Sequence, residues 1–287
     1  MGLLFTIEIP ELEDLQRSVL GIQLFNISDK DEVIEAEYVD EMEYAEYCVG
    51  VTTKGTLKAF ARANKKDNLK VNTDSSSELL MFTNKGNVIK IASLLIQEAV
   101  KEEIEINKLV DGLGKKEKVI ALFSIKTFHE KYSVYTFSKK GFVKKTSLKE
   151  FDGKYLIQQA CKLKIEGDEL VSVDISDSIS GHLVMITKKG MAIRFPAINV
   201  NSMGRIAAGV TGISLKDEDE VIFGKCFNIE VQENNPILGD YTFQLVSKNK
   251  ETEEFGLKEI KLQNRAGRGS NMMLVLLDDE VKIVNMF

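Results

Sequence analysis

Residues 183–195 read "LVMITKKGMAIRF". Two β-rich runs flank a Thr-Lys-Lys-Gly turn, and glycine tolerates the positive φ that a tight hairpin turn requires. Apolar residues on both sides of the turn favour strands over a helix, which would show a 3.6-residue period. The stretch therefore predicts an antiparallel β-hairpin with cations in and just after its turn.

The same hairpin pattern recurs along the chain. Further copies are "VGVTTKGTLKAF" (49–60), "LLMFTNKGNVIKI" (79–91), "SVYTFSKKGFVKKT" (133–146) and the degenerate "FQLVSKNKETEEFGLKEI" (243–260), in which Lys250 stands where the others have glycine. A self-similar unit repeated at intervals predicts a modular architecture.

A second recurring unit is a pair of acids followed by an aliphatic strand, as in "DELVSV" and "DEVIFG". Its aliphatic anchors are Val33, Val119, Leu170, Val221 and Val281. The first interval is wide enough to hold a weak copy, which we assign to residues 68–73. A period of about 50 residues with several short strands predicts an all-β, propeller-like array of about six four-stranded blades, with five as the alternative count. We take 1–287 as one such domain and as a fragment of a longer subunit.

The two units interlock around a repeated cation and glycine. Gly21, Gly209 and Gly269 each stand twelve residues before an aliphatic anchor, and Arg17, Arg205 and Arg265 stand four residues before those glycines. In the unit anchored at Leu170 the corresponding residues are Lys154 and Gln158. The spacing predicts a cation at one register of the repeat.

The net charge of −6 is concentrated in one place. Residues 29–46 hold nine acids and one lysine, so the remainder of the chain carries a net charge of +2. A basic face elsewhere is therefore compatible with the acidic total. The acidic stretch has two interpretations, a solvated strand face or a shield over part of the basic surface.

Other sequence features indicate where the protein works and how regular the repeat is. The three cysteines, Cys48, Cys161 and Cys226, are scattered, which is typical of a reducing cytoplasm. No run reaches 18 apolar residues, so no transmembrane helix is predicted. Residues 91–110 are the one predicted helix, either a connecting insertion or a partner-binding element.

Cations cluster at the hairpin turns and at the repeated register. If the blades are arranged radially, these cations recur around one rim and form a belt suited to the phosphate backbone of duplex DNA. Lysines in hairpin turns also occur as solvated residues that protect sheet edges, which is the competing interpretation. The predicted DNA-binding residues are Arg17, Lys54, Lys58, Lys85, Lys90, Lys139, Lys140, Lys144, Lys145, Lys154, Lys188, Lys189, Arg194, Arg205, Lys258, Lys261, Arg265 and Arg268.

The alternation of these hairpins with acidic-aliphatic strands, together with "NVNSMGRIAAGVTGISLKDEDEVI" (199–222), resembles a known family. It is similar to the C-terminal domain of the A subunit of bacterial type IIA topoisomerases, DNA gyrase and topoisomerase IV. The resemblance implies a β-pinwheel of five or six blades whose basic rim bends or wraps duplex DNA. It also implies two partners, the remainder of the A subunit and the separate ATPase subunit, and an isolated domain that is a monomer.

A motif near the end of the chain bears on which member of the family this is. Gyrase carries a box, Gln-Arg-Arg-Gly-Gly-Lys/Arg-Gly, in its first blade. The degenerate match here comprises Gln263, Asn264, Arg265, Ala266, Gly267, Arg268 and Gly269, in which Asn264 and Ala266 depart from the box. These departures, and the position in the last repeat, favour topoisomerase IV, with gyrase as the second choice.

No catalytic constellation is recognisable in the sequence. None of the seven tyrosines follows an arginine, as the strand-passage tyrosine of the family does, and His129 and His182 are isolated. No nucleotide-binding GxxxxGK[ST] loop is present. We predict no catalysis, metal or cofactor, and interpret the repeated acids as hairpin or blade-edge residues. The alternatives are a protein-binding propeller, using 29–46 or 91–110, and a propeller-scaffold hydrolase, which no residue cluster supports.

Overall fold

A computed structural model describes residues 44–52, 55–60, 69–97, 103–110, 113–114, 116–153, 155–177, 181–216, 218–232, 235–276 and 278–287. The chain divides into two compact units, Met1–Ala45 and Glu46–Phe287. The predicted unit anchored at Val33 and the acidic stretch up to residue 43 lie outside the described residues.

Five β-hairpins form the second unit, one for each predicted copy. They are β1 (Glu46–Val51) with β2 (Thr56–Phe60), β4 (Glu78–Thr83) with β5 (Asn87–Ala92), β8 (Ser133–Ser138) with β9 (Phe142–Ser147), β12 (His182–Thr187) with β13 (Met191–Pro196), and β18 (Thr242–Ser247) with β19 (Thr252–Gly256). We call their sheets the first to fifth blades. The hairpin prediction is confirmed for all five.

Each hairpin receives a third strand on the side of its first strand. These inner strands are β3 (Leu69–Asp74), β7 (Val119–Ile125), β11 (Leu170–Ser176), β15 (Val221–Phe227) and β21 (Val281–Met286). Four of them begin at the predicted aliphatic anchors, and β3 contains the weak copy assigned to 68–73. Successive inner strands pack against one another, so they form the inner side of the array.

A fourth strand completes four of the blades, and it always comes from the following repeat. These outer strands are β6 (Ile104–Glu105), β10 (Ile157–Gln159), β14 (Val210–Thr211) and β20 (Ser270–Asn271), which pair with β2, β5, β9 and β13. The fifth blade has three strands in the part of the chain that is described. The exchange of outer strands links each blade to the next and explains why the two sequence units interlock.

The turn glycine is the point where the exchanged strand docks. The carbonyl of Gly190 accepts hydrogen bonds from the backbone N–H groups of Met272 (2.9 Å) and Met273 (3.4 Å). Gly190 has φ +75°, and a Cβ placed on it would lie 2.3 Å from the Met273 carbonyl oxygen. Glycine is therefore required here for both the backbone conformation and the close approach of the outer strand.

Lys250 occupies the corresponding turn position of the fifth blade, with φ +67°. No outer strand crosses this turn among the described residues, so the close backbone contact made at Gly190 has no described counterpart here. Only the left-handed conformation disfavours a side chain at this position. The three-stranded form of the fifth blade, in the part of the chain that is described, therefore explains why the degenerate repeat tolerates a lysine.

We expect Lys250→Gly to raise the free energy of unfolding by about 0.5–1 kcal/mol, because glycine adopts positive φ without the steric cost that lysine incurs. Denaturant titration measures the change. Lys250→Ala is the matched control and should give no gain, since alanine removes the side chain but keeps the Cβ. An equal gain in both variants would show that side-chain loss, and not the backbone conformation, is responsible.

The remaining elements are short. They are α1 (Leu94–Gln97), α2 (Ile106–Leu109), a ribbon of β16 (Ile229–Gln232) with β17 (Asn235–Leu238), and 3₁₀ turns at Leu148–Phe151, Ala197–Asn199 and Leu257–Glu259. The prediction of one helix over 91–110 is wrong. Residues 104–105 pair with β2, so tertiary pairing interrupts the helical segment. No helix among the described residues is long and apolar enough to cross a membrane.

The repeated acids are structural, as predicted. Asp168, Asp219 and Asp279 are buried, and each accepts backbone N–H bonds from the hairpin turn of its own blade. Hydrogen bonds to buried carboxylates hold the turns in place. The described residues contain no group of His, Cys, Asp and Glu that could hold a metal ion.

Candidate nucleic-acid interface

Three of the four outer strands, β10, β14 and β20, form one continuous edge together with their flanking loops. Backbone bonds join successive loops: the Lys162 N–H donates to the Ala207 carbonyl (3.2 Å), and the Ser214 N–H donates to the Gly267 carbonyl (2.9 Å). We define the outer edge as residues 157–165, 200–216 and 260–276. Three segments that are distant in sequence are thus brought side by side.

The outer edge carries cations and no carboxylate side chain. Its seven basic residues are Lys162, Lys164, Arg205, Lys216, Lys261, Arg265 and Arg268. Five of them are exposed, while Arg205 and Arg265 are half-buried. The three segments are therefore locally basic, and the exposed acids Glu166, Glu218, Glu259 and Asp278 lie just beyond their ends.

The repeated arginines also connect neighbouring blades. Arg265 donates from Nη1 to the carbonyl of Thr211 (2.6 Å) and from Nε to the carbonyl of Asn199 (3.1 Å). Arg205 donates from Nη1 to the carbonyl of Gln159 at 3.5 Å. Thr211 and Gln159 are the last residues of β14 and β10, so the two contacts are equivalent. Each repeated arginine fastens its loop to the outer strand of the preceding blade.

The hairpin-turn lysines, in contrast, are paired with glutamates. Glu169 accepts from Lys85 at 2.6 Å, and Glu220 is 3.3–3.4 Å from the ammonium groups of Lys139, Lys140 and Lys188. The hydrogen bond from Lys85 lowers the pKa of Glu169. Burial acts to raise the pKa of Glu220, but hydrogen bonds from Lys139 and Lys188 hold it below its usual value. These lysines neutralise carboxylates where the inner strands begin, and their assignment as DNA contacts stays a prediction.

Two predicted rim cations are buried, so their prediction as exposed residues is wrong. The Lys144 side chain is 1% exposed, and its ammonium donates to the carbonyls of Ala160 (2.6 Å) and Arg205 (2.5 Å). Arg194 is 7% exposed and donates from Nε to the carbonyl of Ile260 at 2.8 Å. Side chains alternate between the two faces of a strand, so adjacent lysines on β9 cannot both face solvent. Both cations fasten blades together.

Lys144 gives the stability of the protein a specific pH dependence. Burial lowers its pKa from 10.5 to about 8. Between those values the unfolded chain holds a proton that the folded chain has released, so the contribution of Lys144 to stability increases as pH rises. Raising the pH from 7.5 to 9.5 should therefore increase the unfolding free energy of the wild type, relative to that of Lys144→Met, by about 2 kcal/mol. Denaturant titrations at the two pH values measure it, and a constant difference would contradict it.

The other predicted residues are distributed as follows. Lys145 is half-buried, with its ammonium 5.8 Å from the centre of the Tyr135 ring, and the exposed Lys258 pairs with Asp240 at 2.6 Å. Lys90 pairs with Glu78 at 2.7 Å. Lys58 lies 4.0 Å from Glu103, and the backbone N–H of Lys189 donates to Asp219. Arg17, Lys54 and Lys154 lie outside the described residues.

Because Lys154 lies outside the described residues, its equivalence with Arg205 stays a prediction, but the predicted match of Gln158 with Gly209 is wrong by one residue. The segment that leads from the 3₁₀ turn to the outer strand covers residues 152–156 in the third repeat, whereas it covers 200–209 and 260–269 in the next two. In β10, Gln158 pairs with Val88, which lies two residues after the turn glycine Gly86. In the next blade, Val210 pairs with Val143, which lies two residues after Gly141. Gln158 therefore corresponds to Val210 and not to Gly209.

Sequence reasoning missed three outer-edge cations, Lys162, Lys164 and Lys216. They lie neither in a hairpin nor at the arginine register, so neither repeat selects them. A partial signal was available, because residues 157–165 and 200–216 contain no Asp or Glu, although four acids follow Lys216 directly. In the last repeat exposed leucines, Leu274 and Leu276, occupy this region instead, and the row of cations ends there.

The degenerate gyrase box lies on the outer edge. Its Gln263 backbone N–H donates to the Arg194 carbonyl (2.9 Å), and its turn is closed by a bond from Gly267 N–H to the Asn264 carbonyl (3.2 Å). Ala266 has φ +66°, which is the conformation that suits the glycine of the gyrase box at this position. Arg268 is exposed. The box therefore forms one of the loops that carry outer-edge cations.

The fold and this edge define a class: a propeller-like β-pinwheel with exchanged outer strands and a basic periphery. The sequence matches a family model described as "DNA gyrase C-terminal domain, beta-propeller" over residues 77–93, 132–154, 181–228 and 255–287. The chain belongs to the family of C-terminal domains found in the A subunits of type IIA topoisomerases.

Individual relatives and structures agree with this assignment. The A subunit of DNA gyrase from Helicobacter pylori J99 is 30% identical over 281 residues, covering 89% of this chain and 32% of that protein. The A subunit of DNA topoisomerase 4 from Bacillus subtilis 168 is 27% identical over 291 residues, covering 96% and 34%. The chain thus spans about a third of the length of these relatives. Both gyrase and topoisomerase IV occur among them, so the preference for topoisomerase IV stays a prediction.

Solved structures support the fold. A crystal structure of the C-terminal domain of DNA topoisomerase IV aligns with a TM-score of 0.70 at 22% identity, covering 86% of this chain and 79% of that one. The E. coli ParC C-terminal domain aligns with a TM-score of 0.66 at 12% identity, covering 84% and 98%. The prediction of an all-β pinwheel is confirmed.

Proposed function

We propose that this domain is a non-catalytic module that binds and bends duplex DNA on behalf of a type IIA topoisomerase. The observation that supports the proposal is the outer edge, where seven cations and no carboxylate side chain line three joined segments. The five exposed cations of this edge make no ion pair with another described residue and are available to phosphates, whereas Arg205 and Arg265 already donate to backbone carbonyls. The hairpin-turn lysines, which are paired with Glu169 and Glu220, contribute less.

The proposed contacts are with the phosphate backbone. No helix longer than four residues occurs in the described part of the chain, so no element there can enter a major groove as a recognition helix. Phosphate contacts by the five exposed cations would release counterions and give a slope of log K against log salt of about −4.5. A duplex that follows the outer edge must bend, which costs about 1–6 kcal/mol per 20–30 base pairs and is offset by the additional contacts.

The activity of the whole topoisomerase is also part of the proposal. The relatives are components of gyrase and topoisomerase IV, and this chain matches about a third of their length. We propose that strand passage is catalysed by other domains of the same polypeptide and requires a partner, the ATPase subunit. The domain would guide DNA segments to that machinery and act in the cytoplasm, with one copy in each polypeptide.

Titration of a labelled 40-base-pair duplex at several salt concentrations tests the binding. We expect a steep salt dependence and equal affinity for unrelated sequences. Absence of binding at low salt would reject the proposal and leave the protein-binding scaffold as the better interpretation. Ligation of nicked circular plasmid with and without the domain then separates wrapping, which changes the linking number, from simple bending, which does not.

A further inference from the structure

Large apolar side chains are exposed at several places on the outer edge, among them Ile165, Leu262, Leu274 and Leu276, and two of the most exposed stand in loops that lead into an outer strand. Ile206 is 71% exposed and Tyr155 is 75% exposed. Each lies in the loop that leads into an outer strand, Tyr155 before β10 and Ile206 before β14. Single exposed apolar residues are common on protein surfaces. Two of them in corresponding loops, beside a row of cations, need a more specific explanation.

The backbone around Ile206 is held on both sides. The carbonyl of Arg205 accepts from the Lys144 ammonium at 2.5 Å, and the carbonyl of Ala207 accepts from the Lys162 N–H at 3.2 Å. The Ala207 N–H closes a turn onto the Gly204 carbonyl at 3.1 Å, which places Ile206 at the tip of that turn. A β-branched side chain has few χ1 rotamers. Ile206 is therefore a stiff apolar tip that loses little freedom on contact.

Tyr155 is held in a similar way. Its carbonyl accepts from the Gln158 side-chain amide at 3.1 Å, and the carbonyl of the next residue, Leu156, accepts from the Lys90 N–H at 2.8 Å. Its exposed ring stands a few residues before the cations Lys162 and Lys164 in sequence. In the loop before β20, the residue at the tip of the turn is Ala266, whose side chain is too small to make a comparable apolar contact.

We propose that Tyr155 and Ile206 are apolar wedges that press between base steps of the bound duplex and localise its bend. Proteins that bend DNA commonly combine cations on the phosphates with apolar side chains that partly unstack the bases. Here Arg205, Lys162 and Lys164 supply the cations beside the two tips. The inference rests on the proposed function and adds a determinant of where the duplex is bent.

The test compares a matched duplex with the same duplex carrying one central mismatch, using the full chain. Unstacking costs least at a mismatched base, so the wild type should bind the mismatched duplex about tenfold more tightly. The double variant Tyr155→Ala/Ile206→Ala should lose this preference and bend the duplex less, as measured by energy transfer between the duplex ends. Its slope of log K against log salt should equal that of the wild type. Tyr155→Phe/Ile206→Leu should retain both properties. Ile283→Ala, which removes an exposed apolar side chain from inner strand β21, is the control and should behave as wild type.

Two results would overturn the inference while leaving the proposed function intact. The first is a wild type that binds with a steep salt slope but equally to matched and mismatched duplexes. The second is a double alanine variant that keeps the preference and the bend. A wild type that binds no duplex at all would overturn both the inference and the proposed function.

Discussion

Replacing four outer-edge cations by glutamine, as Lys162→Gln/Lys216→Gln/Lys261→Gln/Arg268→Gln, will weaken duplex binding by about a thousandfold at 0.1 M salt. Each phosphate contact contributes a slope of about −0.9 in log K against log salt, so four lost contacts should make the slope less steep by about 3–4. All four residues are exposed. The substitutions therefore remove charge without opening the core, and thermal unfolding should be close to that of wild type.

The matched control removes the same charge from the hairpin turns, as Lys85→Gln/Lys139→Gln/Lys140→Gln/Lys188→Gln. Both variants lose four positive charges, so any effect of net charge is common to them. The control leaves Glu169 and Glu220 without their lysine partners, which should cost little because surface ion pairs contribute about 0–1 kcal/mol each. We expect its affinity to remain within about tenfold of wild type. Equal losses in the two variants would contradict the proposed location of the DNA.

Gly190→Ala will destabilise the protein by about 4 kcal/mol, the largest effect we expect from one methyl group. Its Cβ would lie 2.3 Å from the Met273 carbonyl oxygen and 3.2 Å from the Met273 Cβ. The clash adds about 1–3 kcal/mol of overpacking to about 1–2 kcal/mol for the left-handed conformation. The methyl group should also displace β20 from the fourth blade, because Gly190 accepts both N–H groups that dock this strand.

Gly55→Ala is the control for this prediction. Gly55 has nearly the same φ, +76°, but nothing lies within 4 Å of its Cβ position. Only the conformational cost of about 1 kcal/mol should remain. Denaturant titration of both variants separates the two contributions. Similar losses would mean that the exchanged outer strand does not constrain the turn.

The hairpins and inner strands could be predicted because their signals are local. The turn glycine and the lysines beside it lie within a few residues of each other and specify the hairpin, and an acidic pair directly before an aliphatic anchor such as Val221 specifies the inner strand. The repeat then shows that each unit is one blade. The weak copy at 68–73 follows from the spacing of the repeats, and β3 confirms it.

The exchange of outer strands could not be predicted from local pattern. Each outer strand has only two or three residues, too few to show a period of two, and it pairs with a hairpin from the preceding repeat. For the same reason the sequence of 104–105 suggests a helix that the protein does not form there. A short segment adopts the conformation that its partner strand imposes, whatever its own preference.

The basic surface could be predicted in part. The repeated register and the degenerate box identify Arg205, Arg265 and Arg268, and all three lie on the outer edge. The prediction for Lys144 fails because a lysine run does not show which side chain faces inward, and burial of its ammonium depends on two carbonyls from other segments. The pairing of the turn lysines depends on glutamates 32–84 residues away, which only the fold brings close.

The most direct test of the central claim, that duplex DNA lies along the outer edge, is a lysine acylation footprint of the unmodified protein. The domain is labelled with and without saturating duplex at low salt, and the rate at each lysine is measured by mass spectrometry. We predict that Lys162, Lys216 and Lys261 react several-fold more slowly with DNA bound, while Lys139, Lys140 and Lys188 are unchanged. Protection of the hairpin-turn lysines with no protection of the outer-edge lysines would contradict the account.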